Sequence, residues 1–236
     1  MKPIDTLIQL QAIKEQIEDL MDQARKPAAK KPAKAPAKKK SPKRTRGVRA
    51  PGANNKLAIV VGHTAAASGA DGIAPINTSE YPWNTDLAKR IGIYGASQGV
   101  EVQAFFRDSG GVPAAYAAVK AWGARAAIEL HFNAADGIAK GTETLHGTAA
   151  TSKSWATRVQ NFLVALYGRT GTQNRGLREC PPHPRGGASV NALPDIPTCL
   201  IEPFFGDNTT DAALGQSKQQ QLAETLVDAF KTQFGV

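Results

Sequence analysis

The 236-residue chain has little cysteine and no long hydrophobic run. Two cysteines, Cys180 and Cys199, are too few for the disulfide framework of a small secreted domain, so we interpret them as buried free thiols. No stretch approaches the roughly 18 uncharged apolar residues that a membrane-spanning helix needs. The first 20 residues carry acidic side chains and lack a long apolar core. We therefore expect a protein made in the cytoplasm without a signal peptide or transmembrane segment.

Excess positive charge is confined to the N-terminal end of the chain. The formal net charge is +9, and residues 1–50 hold 14 basic and 5 acidic side chains. Residues 51–236 therefore hold 15 side chains of each sign. The basic character of the whole chain is thus no evidence for a nucleic-acid-binding core.

The N-terminal end divides into two predicted parts. In residues 1–24, apolar side chains recur at steps of three and four, which predicts an amphipathic helix that self-associates or packs on the rest of the chain. Residues 25–55 form a Lys/Pro/Ala-rich cationic linker, predicted to be disordered, in which residues 25–49 include 12 basic and no acidic side chains. This stretch is either a soluble spacer or a binding segment for a polyanion such as DNA or an anionic envelope polymer.

From Lys56 onward, strand-like and helix-like segments alternate. "KLAIVVGH", "AAIELHF" and "IPTCLIEPFF" are typical of buried strands, whereas "NTDLAKRIGIYGASQG" and "SWATRVQNFLVALYG" place apolar side chains on one helical face. Alternation of this kind predicts one α/β domain over residues 56–236, with a mainly parallel sheet covered by helices on both faces.

Polar side chains stand where three of the predicted strands end. These are His63, His131 and Glu202, and Glu80 just before the first helix is a fourth candidate. In an open parallel sheet, ligands bind beyond the carboxyl ends of the strands, so we expect the residues to converge. Singly, a histidine in a turn or a carboxylate at a helix N-terminus has a structural explanation. Glu202 is harder to explain in this way, because its apolar neighbours make burial costly without a cation or donors.

The four side chains form a set that zinc chemistry can use. Two neutral imidazoles and one carboxylate provide three protein ligands and leave the fourth position of the metal for water. Zinc lowers the pKa of such a water toward ~7, and a second carboxylate can carry the proton to the leaving amine. The pattern therefore predicts a zinc hydrolase.

Five motifs carry a family resemblance: "IVVGHT", "SEYPWNTDLA", "AAIELHFNAADG", "NRGL" and "CLIEPFFGDN". In this order, over residues 56–234, they resemble zinc-dependent N-acetylmuramoyl-L-alanine amidases of the amidase-3 type, in a form like that of phage lysins. The resemblance implies a twisted mixed sheet and cleavage of the amide between N-acetylmuramic acid and L-alanine of the peptidoglycan stem peptide. It also implies one zinc ion held by His63, Glu80 and His131, with Glu202 as the general base.

The chain departs from the family pattern at two places. It has "GHT" where members often have Gly-His-Gly, and it has Glu129 where many have serine. Because side chains alternate along a strand, Glu129 and His131 share a face, so Glu129 either supports the site or competes with Glu80 for the metal. Motif order favours Glu80 as the ligand.

Two further residues are candidates for substrate binding. Asn133 follows His131 at a position suited to hydrogen-bonding the substrate, although asparagine is also a common turn residue. Arg175 in "NRGL" is expected either to meet a stem-peptide carboxylate or to be a solvated loop charge. His146 is predicted to be structural, and His183 is predicted to be exposed in a Pro/Gly-rich loop that forms a groove wall.

The function we expect is that of a peptidoglycan amidase acting on the cell wall, released by a holin or carried in a virion. Its cationic arm would bind anionic envelope polymers. Two alternatives remain: a polyanion- or nucleic-acid-binding protein with an inactive amidase-like domain, and a zinc peptidase acting on another amide.

Overall fold

The structure is a computed structural model that describes residues 54–181 and 185–236. The predicted N-terminal helix, nearly all of the predicted cationic linker and His183 lie outside the described residues. The elements in chain order are β1 (Lys56–Val61), α1 (Glu80–Ser97), β2 (Glu101–Phe105), α2 (Gly111–Trp122), β3 (Ala126–Leu130), β4 (Thr142–His146), α3 (Ala150–Tyr167), a 3-10 turn (Gly171–Gln173), β5 (Asn174–Glu179), α4 (Gly187–Val190), β6 (Thr198–Glu202), α5 (Thr209–Ser217) and α6 (Gln219–Phe234). None of the helices in these two ranges is long and apolar enough to cross a bilayer.

The six strands form one mixed sheet in the order β2-β1-β3-β6-β4-β5. Strands β2, β1, β3 and β6 are parallel, whereas β4 pairs antiparallel with β6 and β5 pairs parallel with β4. No helix connects β3 to β4, and the chain returns in the opposite direction. The prediction of a mainly parallel mixed sheet is confirmed.

Helices cover both faces of the sheet, as predicted. One face of β1, β3 and β6 packs against α1, α3 and α6 in a core that includes Leu57, Ile59, Ile128, Ile201, Leu87, Trp155 and Leu226. The opposite face packs against α2, with Ala58, Val60, Ala127, Tyr116 and Val119. Both cysteines are buried free thiols, as predicted.

Two details of the predicted elements are wrong. Glu80 is the first residue of α1 and does not precede the helix. Arg175 lies in a strand and not in a loop, because "NRGLRE" is β5 at the edge of the sheet. This segment has no alternating apolar pattern, and its extended form is stabilised by pairing with β4, which the local sequence does not reveal.

Candidate active site

The carboxyl end of β1 places His63 over the neighbouring strand. Gly62 separates the strand from His63, and a Cβ at Gly62 would overlap the imidazole of His131. His63 has φ 64°, a left-handed conformation that costs a non-glycine residue about 1–3 kcal/mol. The rings of His63 and His131 lie 4.7 Å apart between centroids. The chain therefore uses a glycine and a strained backbone to bring two imidazoles together.

Glu80 lies between these two rings and is almost fully buried. Its Oε1 is 3.1 Å from Nε2 of His63 and accepts the Ala70 N–H, while its Oε2 is 2.8 Å from Nδ1 of His131 and accepts the Phe132 N–H. Burial alone would raise the pKa of Glu80, but the hydrogen bonds with His131 and His63 outweigh it and lower the pKa to about 2.

The imidazole of His131 is held between two carboxylates. Nδ1 faces Glu80, and Nε2 is 2.9 Å from Oε1 of Glu129. Burial would lower the pKa of His131, but its hydrogen bonds to Glu129 and Glu80 prevail and raise the pKa to about 10. Glu129 in turn binds Arg107 and Tyr116, two residues that the sequence analysis did not identify.

Three of the side chains form a set suited to a metal ion. One ligand atom from each of His63, Glu80 and His131 lies within 4.8 Å of the other two. Among residues 54–181 and 185–236, this is the one set of three histidine, cysteine or carboxylate side chains whose ligand atoms lie this close together. Two imidazoles and one carboxylate fit the ligand preference of a catalytic zinc ion.

Glu202 ends β6 and lines a cavity together with His63, Glu80 and His131. Its Oε2 is buried and has no hydrogen-bond partner in the part of the chain that the structure describes. Burial raises the pKa of Glu202 to about 8, against the opposing effect of His131 and with a further contribution from Glu80. A buried carboxylate oxygen without a donor needs an explanation, and because Oδ1 of Asp207 is another example, the location of Glu202 beside the ligand set is what marks it as a candidate functional residue.

A single cavity of about 340 Å³ joins these groups. Its lining includes His63, Glu80, Glu129, His131, Asn133 and Glu202. The structure therefore brings together the four residues that were singled out at strand ends and at the first helix.

Asn133 and Arg175 meet at a carboxylate that the sequence analysis missed. Glu143 on β4 accepts Nδ2–H of Asn133 at 2.8 Å, Nε–H of Arg175 at 2.9 Å and Nε–H of Arg178 at 3.2 Å. We call Asn133, Glu143, Arg175 and Arg178 the Glu143 cluster. Asn133 lines the cavity, whereas the Arg175 guanidinium lies over the ring of Phe205. The position of Glu143 inside a buried strand was the one available signal, because such a carboxylate needs donors.

His146 has a structural environment. It is buried at the end of β4, and its Nδ1 is 2.7 Å from the carbonyl oxygen of Gly147. It is not part of the cavity lining.

Sequence comparison decides the family. Residues 57–232 match the family described as N-acetylmuramoyl-L-alanine amidase. The chain belongs to the N-acetylmuramoyl-L-alanine amidase family. This amidase is therefore a hydrolase of cell-wall peptidoglycan. No curated protein sequence matches the chain.

Solved structures of similar fold agree with this assignment. The catalytic domain of the CD27L endolysin targeting Clostridia difficile is 25% identical, with a TM-score of 0.61 and coverage of 75% of this chain and 97% of that domain. The catalytic domain of CwlV, an N-acetylmuramoyl-L-alanine amidase from Bacillus (Paenibacillus) polymyxa, is 21% identical, with a TM-score of 0.64 and coverage of 77% and 99%. An N-acetylmuramoyl-L-alanine amidase from Clostridium difficile 630 is 23% identical, with a TM-score of 0.62 and coverage of 76% and 96%.

Proposed function

We propose that this amidase cleaves the bond between N-acetylmuramic acid and L-alanine with one zinc ion held by His63, Glu80 and His131, and with Glu202 as the general base. The observation that carries the proposal is the shared cavity, in which a three-residue ligand set lies beside a buried carboxylate oxygen that lacks a donor. In chain order this is the ligand and base pattern that the motifs imply.

The ligand roles follow from the chemistry of the three side chains. His63 and His131 would bind as neutral imidazoles and Glu80 as a carboxylate. A zinc ion at this position would polarise the scissile carbonyl and lower the pKa of a water molecule toward ~7. In the metal-free protein, the hydrogen bonds with His131 and His63 lower the pKa of Glu80 to about 2, so its carboxylate is already ionised when a metal arrives.

Glu202 transfers the proton in the proposed reaction. It accepts a proton from the attacking water and delivers it to the nitrogen of L-alanine as the amide bond breaks. A bound cation favours the ionised form of a nearby carboxylate and therefore lowers its pKa from the value in the metal-free protein. Glu202 lines the cavity that His63, Glu80 and His131 also line, so its carboxylate is close enough to the ligand set to serve a water held there.

The Glu143 cluster would bind the stem peptide. Arg175 donates its Nε–H to Glu143, and its side chain is one-third exposed, so the cluster orients a guanidinium that keeps partial access to solvent. A guanidinium held in this way suits a stem-peptide carboxylate. Asn133 lies in the cavity lining and would hydrogen-bond the peptide close to the scissile amide.

Mass spectrometry of digested sacculi tests the bond specificity. We expect released peptides that begin with a free L-alanine amino group and glycan strands that keep the lactyl group. Chelation should stop their release, and added zinc should restore it. Cleavage within the peptide would instead support a zinc peptidase, and zinc binding without any product would support an inactive amidase-like domain.

We also propose that residues 25–49 bind anionic envelope polymers. Their 12 basic and no acidic side chains support this, and so does the zero net charge of residues 51–236, because attraction to a polyanion then depends on the arm alone. Similarity to an endolysin catalytic domain favours the lysin-like role over the nucleic-acid alternative. Residues 4–24 would add self-association.

Deletion of residues 1–50 tests the arm. Activity on whole cells or outer membranes should fall and should lose its dependence on salt, whereas activity on purified peptidoglycan should stay nearly intact. A full-length variant with glutamine at the lysines of residues 25–49 is the matched control for charge. Equal loss on both substrates would contradict a targeting role, and sedimentation of the full chain and the deletion variant reports self-association.

A further inference from the structure

We propose that Glu129 is a positioning residue that fixes the ring orientation and tautomer of His131, and that Arg107 and Tyr116 hold Glu129 for this purpose. The inference rests on the proposed zinc site and adds a layer of residues behind it.

The geometry of β3 brings Glu129 into contact with His131. Glu129 and His131 are two residues apart, so their side chains lie on the same face, and Nε2 of His131 is 2.9 Å from Oε1 of Glu129. An ionised carboxylate only accepts hydrogen bonds, so Nε2 carries the hydrogen in this contact. When His131 is neutral, the lone pair is then on Nδ1, the nitrogen that faces Glu80.

Glu129 is fully buried, and two further side chains hold its carboxylate. Its Oε1 also accepts a hydrogen bond from Nη1 of Arg107 at 2.9 Å, and its Oε2 accepts one from the hydroxyl of Tyr116 at 2.7 Å. Arg107 follows the end of β2, and Tyr116 lies on α2, so two separate elements fix the carboxylate. Donors on both oxygens offset the cost of burying the charge.

The contacts of Glu129 distinguish it from a metal ligand. Both of its oxygens already accept donors, and the ligand atoms that cluster within 4.8 Å belong to His63, Glu80 and His131. A carboxylate that binds the far nitrogen of a metal-ligating histidine raises the basicity of the ring and fixes its orientation. This is the role the contacts assign to Glu129, and it answers the question of competition with Glu80.

The test is Glu129→Gln in the full-length protein. Glutamine keeps the size of the side chain and one acceptor oxygen, but it removes the charge and allows either tautomer of His131. We expect the dissociation constant for zinc, measured by competition with a chelating dye, to rise about 10- to 100-fold. In ¹H–¹⁵N spectra of the zinc-loaded protein, wild-type His131 should show one tautomer with hydrogen on Nε2, and the variant should show a weakened Nε2–H signal.

Asp211→Asn is the matched control. Asp211 is also a fully buried carboxylate that forms an ion pair with an arginine, Arg169 at 2.8 Å, but it accepts hydrogen bonds from the backbone N–H groups of Phe205 and Gly141 and contacts no histidine among the described residues. We expect it to lower the melting temperature and to leave the zinc dissociation constant and the His131 spectrum unchanged. Tyr116→Phe removes a single donor to Glu129 and serves as a milder variant, with an expected rise of less than tenfold.

Three outcomes would overturn the inference. Unchanged zinc affinity and an unchanged His131 tautomer in both Glu129→Gln and Tyr116→Phe would reduce Glu129 to an ordinary buried ion pair. Complete loss of zinc binding, equal to that of Glu80→Gln, would make Glu129 a ligand. Failure of the wild-type protein to bind zinc would overturn the proposed function as well. The zinc measurement on the wild-type protein detects this separately from the measurements on the variants.

Discussion

Two neighbouring carboxylates, Glu143 on β4 and Glu202 on β6, have opposite environments. They are direct cross-strand partners in the antiparallel pair, so they lie on one face of the sheet. Glu143 accepts hydrogen bonds from Asn133, Arg175 and Arg178, and these two arginines outweigh burial and lower its pKa. Glu202 has an oxygen without any donor among the described residues, and burial raises its pKa to about 8.

The contrast separates what folding requires from what catalysis requires. An unsatisfied buried polar group costs about 1–3 kcal/mol, and the fold supplies two arginines one strand away. Both arginines bind Glu143, and these contacts hold β5 against β4 at the edge of the sheet. Glu202 has a buried oxygen without a donor among the described residues, and its side chain lines the cavity, where a base must be free to take a proton. The unsatisfied member of the pair is therefore the one assigned to chemistry.

The largest expected effect is that of Glu202→Gln on activity. Glutamine cannot accept the proton, so kcat on peptidoglycan should fall about 10²- to 10⁴-fold while zinc stays bound. The melting temperature of the metal-free variant should rise above that of the wild-type protein, because a neutral group replaces a carboxyl group that burial disfavours when ionised. Dye release from labelled sacculi, metal analysis and thermal denaturation measure the three quantities.

The result that contradicts this assignment is specific. Substantial residual activity with normal zinc content would show that another group takes the proton. A melting temperature that falls would show that Glu202 has a donor that stabilises it. Either finding would remove the contrast with Glu143.

A smaller effect, of opposite sign on stability, is expected for Glu143→Gln. The substitution removes the charge that two partly exposed arginines bind, so we expect the free energy of unfolding to fall by about 1–3 kcal/mol. Activity should fall by a smaller factor than in Glu202→Gln. Asn133 and Arg175 lose the charged carboxylate that orients them both, but the general base Glu202 is still present. Denaturant unfolding measures the stability change.

Arg178→Gln is the control for Glu143→Gln. A double-mutant cycle between them isolates the pair energy, since Arg178 binds Glu143 and is not part of the cavity lining. A coupling energy near zero would show that Arg178 does not stabilise Glu143.

The cavity could be predicted from the sequence because its polar residues lie at the ends of strands. His63, His131 and Glu202 each follow an apolar run, and the parallel topology brings such positions to one edge. Arg107 and Tyr116 had no such signal, because their role depends on how β2 and α2 pack against β3. β5 was missed for a related reason: its pairing with β4 is a long-range contact, and its charged residues read locally as a loop.

The smallest expected effect is a difference in how the metal-free variants respond to pH. The pKa of Glu202 is raised in the folded protein from an ordinary value of 4.5 to about 8. Folding therefore favours the protonated carboxyl group, so the wild-type protein loses stability as pH rises from 4.5 to 8 and loses no more above 8. His131 and Arg185 oppose this shift, and Glu80 and Glu143 add to it. The stability advantage of Glu202→Gln over wild type should therefore grow from pH 5 to 8, by at most about 1.4 kcal/mol per pH unit. The pKa of Glu143 is lowered, so its contribution is already complete above 4.5, and the deficit of Glu143→Gln should stay constant over the same range. Denaturant unfolding at several pH values measures both slopes, and parallel slopes for the two variants would mean that the two carboxylates share one environment.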